Sequence, residues 1–163
     1  MAISWTRART PNRVTVFIVA PGTIANGENA SYVLGQANFT SNVGSTTSQS
    51  TLANVSGLSY DANNSRLFVA DTDNIRVMVL NVAPGTIANG DKASRVLGET
   101  SFTSNAGGTT QSTLTGKVVA QTGPTFAYYD PRVSHVFVAD TVNNRVMIFE
   151  ASSIPAGDYF NPL

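Results

Sequence analysis

Short apolar segments rich in Val, Phe, Ile and Tyr alternate along this chain with clusters of Asn, Asp, Ser, Gly and Pro. No segment has a sustained helical period, so the pattern predicts short antiparallel β-strands joined by polar turns. The strands are of four kinds, numbered first to fourth by their order in a repeat. First strands are predicted at 57–61 and 126–130, second strands at 66–70 and 135–139, third strands at 13–17, 76–80 and 145–149, and fourth strands at 32–34 and 95–97.

The second and third strands are apolar on both of their faces, as in Leu67-Phe-Val-Ala70 and Val77-Met-Val-Leu80. A sheet with one face in water would alternate apolar and polar residues instead. These sheets are therefore expected to be packed on both sides. Four short antiparallel strands per repeat, with each sheet stacked between copies of itself, describe a β-propeller blade.

The chain also contains an internal repeat. Nine residues, Val-Ala-Pro-Gly-Thr-Ile-Ala-Asn-Gly, occupy positions 19–27 and recur unchanged at 82–90. Recurrence of this kind is the sequence signature of stacked-repeat folds. The segment joins a third strand to a fourth, so we interpret it as a structural turn. An insertion at 117–123 precedes the strand predicted at 126–130. It is predicted to form a loop at one rim, where a binding site could lie.

Composition narrows the classes of function. The chain has 163 residues, a formal net charge of zero and only 12% charged residues, so it lacks the basic surface that nucleic acid or an anionic membrane would attract. It contains no cysteine, which excludes disulfides and thiolate metal sites. The N-terminal residues lack the apolar core of a signal peptide, and no apolar run could span a bilayer. We expect a soluble chain of undetermined compartment.

Two acid–base pairs flank the connections between second and third strands: Asp71 with Arg76, and Asp140 with Arg145. These pairs could line a ligand site. Because the pair recurs in both repeats, whereas a catalytic residue is usually needed once, we favour a structural role between strands and between blades. In that role each carboxylate accepts N–H groups of a turn, and each guanidinium group donates charge-assisted bonds to a neighbouring blade.

Aromatic residues on the first strands are the candidates for ligand binding. Tyr60, Tyr128 and Tyr129 lie on strands that would border the channel of a propeller, where rings could stack on a sugar or peptide, although packing is their commoner role. The single histidine, His135, cannot form a two-histidine metal site within one chain. No triad spacing, phosphate-binding loop or metal-ligand motif is present. We therefore predict no catalytic residue, no metal and no cofactor.

Two segments carry a resemblance to a known family. Residues 67–77, Leu-Phe-Val-Ala-Asp-Thr-Asp-Asn-Ile-Arg-Val, and residues 136–146, Val-Phe-Val-Ala-Asp-Thr-Val-Asn-Asn-Arg-Val, resemble NHL repeats. The resemblance to bacterial NHL-type proteins covers residues 13–150. It implies a β-propeller, usually of six blades, in a family whose members mostly act as binding or scaffolding modules. Some relatives are lyases or lactonases, which hold a metal with several acids and usually histidine.

The chain is short for such a propeller. Its predicted organisation is a degenerate segment at 1–12, propeller repeats over 13–150 (a partial blade 13–36, a full blade 55–98 and an incomplete blade 124–150) and a C-terminal tail at 151–163. This is about two blades, so we expect three chains to complete a six-bladed ring, with the early fourth strand at 31–35 exchanged into another chain. A monomer with an open sheet edge is the alternative.

The function expected from these features is that of a non-enzymatic scaffold that binds a peptide, a protein or a glycan. An enzyme of the lactonase or lyase type on the same fold is one alternative. The other is a fragment of a larger repeat array that has no independent function.

Overall fold

The computed structural model describes residues 2–4, 12–19, 25–44, 46–115 and 123–152, and over these ranges the chain is all-β. The strands form three open antiparallel sheets, in which each strand pairs with the next along the chain. The N-terminal sheet contains β1 (Ala2–Ser4), β2 (Val14–Phe17) and β3 (Tyr32–Leu34). The central sheet contains β4 (Val55–Asp61), β5 (Arg66–Asp71), β6 (Arg76–Asn81) and β7 (Arg95–Leu97). The C-terminal sheet contains β8 (Phe126–Asp130), β9 (His135–Asp140) and β10 (Arg145–Glu150).

The strand pattern read from the sequence is confirmed from β2 to β10, with shifts of at most two residues at any end. The difference lies at the N-terminus. The sequence predicts a degenerate segment over 1–12, whereas Ala2–Ser4 forms β1 and pairs antiparallel with β2, Ile3 lying opposite Val16. The N-terminal sheet therefore holds the second, third and fourth strands of a repeat. Positions 117–122 of the predicted insertion and 153–163 of the predicted tail lie outside the described residues.

Short polar turns connect the strands. Between β4 and β5 the carboxylate of Asp61 accepts the backbone N–H of Asn63 at 3.1 Å, and between β8 and β9 that of Asp130 accepts the N–H of Arg132 at 2.9 Å. This is how Asp initiates a turn. Single-turn 3-10 helices, Thr72–Asn74 and Thr141–Asn143, connect the second and third strands of the central and C-terminal sheets.

The core between the N-terminal and central sheets is formed by one face of each. Val14, Val16 and Leu34 of the N-terminal sheet pack on alternate residues of β5 and β6. Those central-sheet residues are Leu67, Val69, Met78 and Leu80. Because side chains alternate across a strand, the residues between them point to the other face of the central sheet.

That other face packs on the C-terminal sheet. Phe68, Val77 and Val79 of the central sheet are fully buried there. Their partners in the C-terminal sheet include Val136, Val138, Met147 and Phe149. Fully burying a side chain of this kind contributes about 1.5–3 kcal/mol relative to leaving it in water. The central sheet is therefore apolar on both faces because it has a neighbour on each side.

The second copy of the nine-residue repeat contacts the neighbouring sheet. The side-chain oxygen of Asn89 accepts the N–H of Val33 in β3, and the N–H of Gly90 donates to the Val33 carbonyl, both at 2.9 Å. Gly90 has a φ of 69°, and a Cβ there would lie 3.2 Å from the Cα of Ala37, so the approach requires glycine. β3 is thus bonded on one side to β2 and on the other to this segment. Exchange of β3 into another chain would have to open both contacts.

Candidate interaction surface

Asp71 and Arg76 form a buried ion pair at one end of the central sheet. Nε of Arg76 donates to Asp71 at 2.7 Å, and neither side chain is exposed. Asp71 also accepts the backbone N–H of Ala53 at 2.6 Å and the side-chain amide of Asn74. The other end of the Arg76 guanidinium group donates to three loop carbonyls, those of Ser48, Thr51 and Phe102. The pair therefore fastens β5 and β6 to the loops that lead into and out of the central sheet.

Asp140 and Arg145 repeat this arrangement in the C-terminal sheet. Nε of Arg145 donates to Asp140 at 2.8 Å, and Asp140 accepts both the N–H and the hydroxyl of Thr115. The guanidinium group donates to the carbonyls of Thr109, Thr110 and Thr113. No counterpart of the Phe102 contact occurs among the hydrogen bonds described for Arg145, and 28% of its side chain is exposed.

The two carboxylates differ in their electrostatics. Burial raises the pKa of Asp71 above its usual range, and this effect outweighs the opposing one of Arg76. Burial also acts to raise the pKa of Asp140, but the hydrogen bonds from Thr115, Arg145 and Asn143 outweigh it and hold that pKa below the usual range. The same residue pair is therefore more desolvated in the central sheet.

The carboxylates bond differently from the arrangement that the sequence suggests. Neither Asp71 nor Asp140 caps the 3-10 turn that follows it. Each instead accepts an N–H from the segment that precedes the first strand of its own sheet, at Ala53 and at Thr115. These donors lie 18 and 25 residues before the carboxylates that accept from them, so the local sequence gives no sign of the bonds.

The three candidate tyrosines do not come together in one site. Tyr129 is buried between the central and C-terminal sheets, where its ring stacks on Phe68 at 5.5 Å between centroids. Tyr60 occupies the equivalent position of β4 and lies on the face that looks toward the N-terminal sheet, where it is 40% exposed. Tyr128 lies on the opposite face of β8 from Tyr129 and is 46% exposed. Two of the three rings are therefore accessible, on different sheets and faces.

His135 starts β9 and is half-buried, with its ring edge-on to Phe137 at 6.2 Å. Within the described ranges, no group of three or more His, Cys, Asp or Glu side chains is placed to hold a metal ion. No described helix is long and apolar enough to cross a bilayer.

The outer face of the C-terminal sheet, the side away from the central sheet, is apolar and exposed. The strand register aligns two rows across β8, β9 and β10. The first row is Tyr128, Phe137 and Ile148, and the second is Phe126, Ala139 and Val146. Val146 is 63% exposed, and Phe126, Tyr128 and Ile148 are exposed as well, although the ring of Phe126 also reaches Gly57 of β4. We call these six residues the outer face; a contiguous apolar patch of this kind is a candidate interaction surface.

The equivalent face of the central sheet shows how such a surface is covered. Its corresponding rows are Ser59, Phe68 and Val79, and Gly57, Ala70 and Val77. Phe68, Ala70, Val77 and Val79 have no exposed surface because the C-terminal sheet lies on them. Sequence reasoning predicts apolar character on both faces of the strands, but it does not single out Phe137, Val146 and Ile148 as an uncovered surface. Their alignment with Phe68, Val77 and Val79 is the signal that could have found them.

Comparison of the sequence with models of known protein families finds no match, and neither does comparison with curated proteins. The functional proposal therefore depends on the fold and on this surface.

Proposed function

We propose that the chain is a non-enzymatic repeat scaffold of the β-propeller type, in which each sheet is a blade and several chains assemble by stacking their outermost sheets. One observation carries the proposal. The same kind of inter-sheet contact occurs twice within the chain, and the face that would make it a third time is exposed on the C-terminal sheet.

Two further features support blades rather than an isolated layered domain. The central sheet has four antiparallel strands in chain order and is covered on both faces, as a blade is. Residues 67–77 and 136–146, which resemble NHL repeats, span the second and third strands of successive sheets. Repeats of this kind are stable only when neighbours bury their faces.

The number of chains in the proposed ring depends on how many blades each chain supplies. The expectation of three chains assumes about two blades in each, whereas the described residues hold three sheets, because β1 adds a second strand to the first of them. The six blades that the resemblance implies would then be supplied by two chains. We therefore propose a two-chain ring closed by rotational symmetry.

The scaffold would bind a peptide, a protein or a glycan on its first strands and rim loops. Tyr60 is the accessible first-strand tyrosine that the assembly leaves uncovered, so it is the ring on which a ligand could stack. The repeated Asp–Arg pairs use their donors and acceptors within the chain, which favours a structural role for them in this proposal.

Light scattering of the purified chain at micromolar concentration tests the assembly. We expect a mass of two chains that falls to one on dilution. A mass of three chains would favour the smaller blade count per chain, and a mass of one chain at every concentration would exclude the assembly.

A further inference from the structure

We propose that the outer face of the C-terminal sheet binds the N-terminal sheet of a second copy, on the face that carries Thr15 and Phe17. This inference rests on the proposed assembly and specifies its contact. It makes the contact head-to-tail, so the two partners use different surfaces of the same chain.

The direction of the contact is taken from the chain itself. In both inter-sheet contacts, the earlier sheet presents two equivalent valines of its third strand: Val14 and Val16 in the first contact, Val77 and Val79 in the second. The later sheet presents the alternate residues of its own third strand, Met78 and Leu80 or Met147 and Phe149. Every contact within the chain therefore pairs two different faces in a fixed order.

A third contact of the same kind, made between two chains, would use Val146 and Ile148 of the C-terminal sheet. These residues correspond to Val77 and Val79 and are exposed. The face that continues the series is the one that corresponds to Met78 and Leu80. In the N-terminal sheet these positions are Thr15 and Phe17, both half-buried. Both surfaces needed for a head-to-tail contact are thus present on one chain.

The first strand shows how the outer face differs from its covered counterpart in the central sheet. In the central sheet the outer-face positions of the first strand are Gly57 and Ser59, and β8 approaches them so closely that the Tyr129 N–H donates to the Ser59 hydroxyl at 2.9 Å. In the C-terminal sheet the same positions are Phe126 and Tyr128, which are too large for an approach of this kind. A partner sheet would therefore meet apolar rings at this strand, where the central sheet instead makes a close backbone approach.

Single substitutions on each surface distinguish head-to-tail from face-to-face assembly. Ile148→Asp changes the outer face, and Phe17→Lys changes the opposite surface of the same chain. Head-to-tail contact predicts that each variant alone has the mass of one chain in light scattering. A mixture of the two variants should recover the two-chain mass. In the mixed dimer the two unaltered surfaces form one contact, and the two substituted surfaces form the other, in which Asp faces Lys. Recovery on mixing would also show that both variants are folded.

The control is Val43→Lys, which places a charge on an exposed loop residue outside both surfaces and should leave the mass unchanged. Tyr128→Ser, which restores the residue type of the central sheet, should weaken assembly about tenfold or more because a buried aromatic ring is lost. If Phe17→Lys stays a dimer while Ile148→Asp does not, the outer faces bind each other and the head-to-tail contact is wrong, although the assembly stands. If the unaltered chain has the mass of one chain, the assembly itself is wrong.

Discussion

The ion pairs Asp71–Arg76 and Asp140–Arg145 have the same sequence spacing, the same Nε-to-carboxylate bond and loop carbonyls as further partners, yet they lie in different environments. Arg76 is fully buried, whereas 28% of the Arg145 side chain is exposed. The pKa of Asp71 is raised by burial, and that of Asp140 is held down by its hydrogen bonds. The difference accompanies the loops around each pair: the Phe102 carbonyl bonds to Arg76, and no counterpart occurs among the hydrogen bonds described for Arg145.

The comparison shows what a repeat can and cannot encode. The residues of the repeat determine which groups bond to each other, as in the carboxylate–guanidinium contact. The segments that cover the pair determine how much water reaches it, and hence how much each contact stabilises the fold. The following substitutions test this separation in matched positions of the two sheets.

The largest difference is expected between Arg76→Met and Arg145→Met. Removing Arg76 leaves a buried carboxylate without its cation and should reduce the free energy of unfolding by about 3–5 kcal/mol. Removing Arg145 leaves a carboxylate that still accepts bonds from Thr115 and Asn143, so a loss of about 1–2 kcal/mol is expected. Urea denaturation of the two variants measures both values, and equal losses would contradict the role assigned to burial of the pair.

Val77→Ala and Val146→Ala make the same change on a covered and an uncovered face. Val77 has no exposed surface, so its truncation should cost about 2 kcal/mol, whereas truncation of Val146 in a dilute single chain should cost less than about 0.5 kcal/mol. Thermal denaturation at a concentration where scattering shows one chain separates this effect from assembly. A large cost at Val146 under those conditions would mean that its face is already covered within the chain.

The two copies of the nine-residue repeat provide the next comparison. Asn89→Ala removes the acceptor for the Val33 N–H and should cost about 1 kcal/mol, because that donor then loses its partner. Asn26 is the matching residue in the first copy; it is exposed, and the following Gly27 faces open space. Asn26→Ala should therefore change the free energy of unfolding, measured by urea denaturation, by less than about 0.5 kcal/mol. A reversal of this order would show that the first copy makes the more important contact.

The smallest expected effect concerns acid stability: the contributions of Asp140 and Asp71 to the free energy of unfolding should change in opposite directions as the pH falls. Because the pKa of Asp140 is lowered by folding, its contribution to stability is present above the unfolded pKa and is lost as the pH falls through the folded value. The pKa of Asp71 is raised, so its contribution is fully present at low pH and is lost as the pH rises through the folded value. Between about pH 5 and about pH 3, Asp140→Asn should thus reduce the loss of stability and Asp71→Asn should increase it. Urea midpoints at both pH values would show this, and a shift in the same direction for both variants would contradict it.

Much of the fold could be predicted from the sequence because local signals agree. The two-sided apolar character of residues 67–70 and 77–80 predicts a sheet covered on both faces, and the central sheet is covered in this way. Asp61 and Asp130 mark turns because a short carboxylate reaches the N–H groups two residues on. β1 could not be predicted, because Ala2–Ser4 has little apolar pattern and gains its strand geometry from pairing with β2.

The surface was harder to predict than the fold. Tyr60 and Tyr129 occupy equivalent positions of their repeats, and no local feature tells that one is exposed and the other buried on Phe68. Likewise, Val77 and Val146 belong to nearly identical segments. Exposure depends on which sheet lies alongside, and that is a property of the assembled stack and not of the segment.

The contact of Asn89 and Gly90 with Val33 has a consequence for synthesis of the chain. The outer edge of β3 presents the Val33 N–H and carbonyl until Asn89 and Gly90, which lie 56 and 57 positions later in the chain, can bond to them. During translation the N-terminal sheet must therefore wait, with one edge open to foreign strands, until most of the central sheet has left the ribosome. The second copy of the nine-residue repeat thus determines that the N-terminal sheet completes its hydrogen bonding only after residues 89 and 90 have been synthesised.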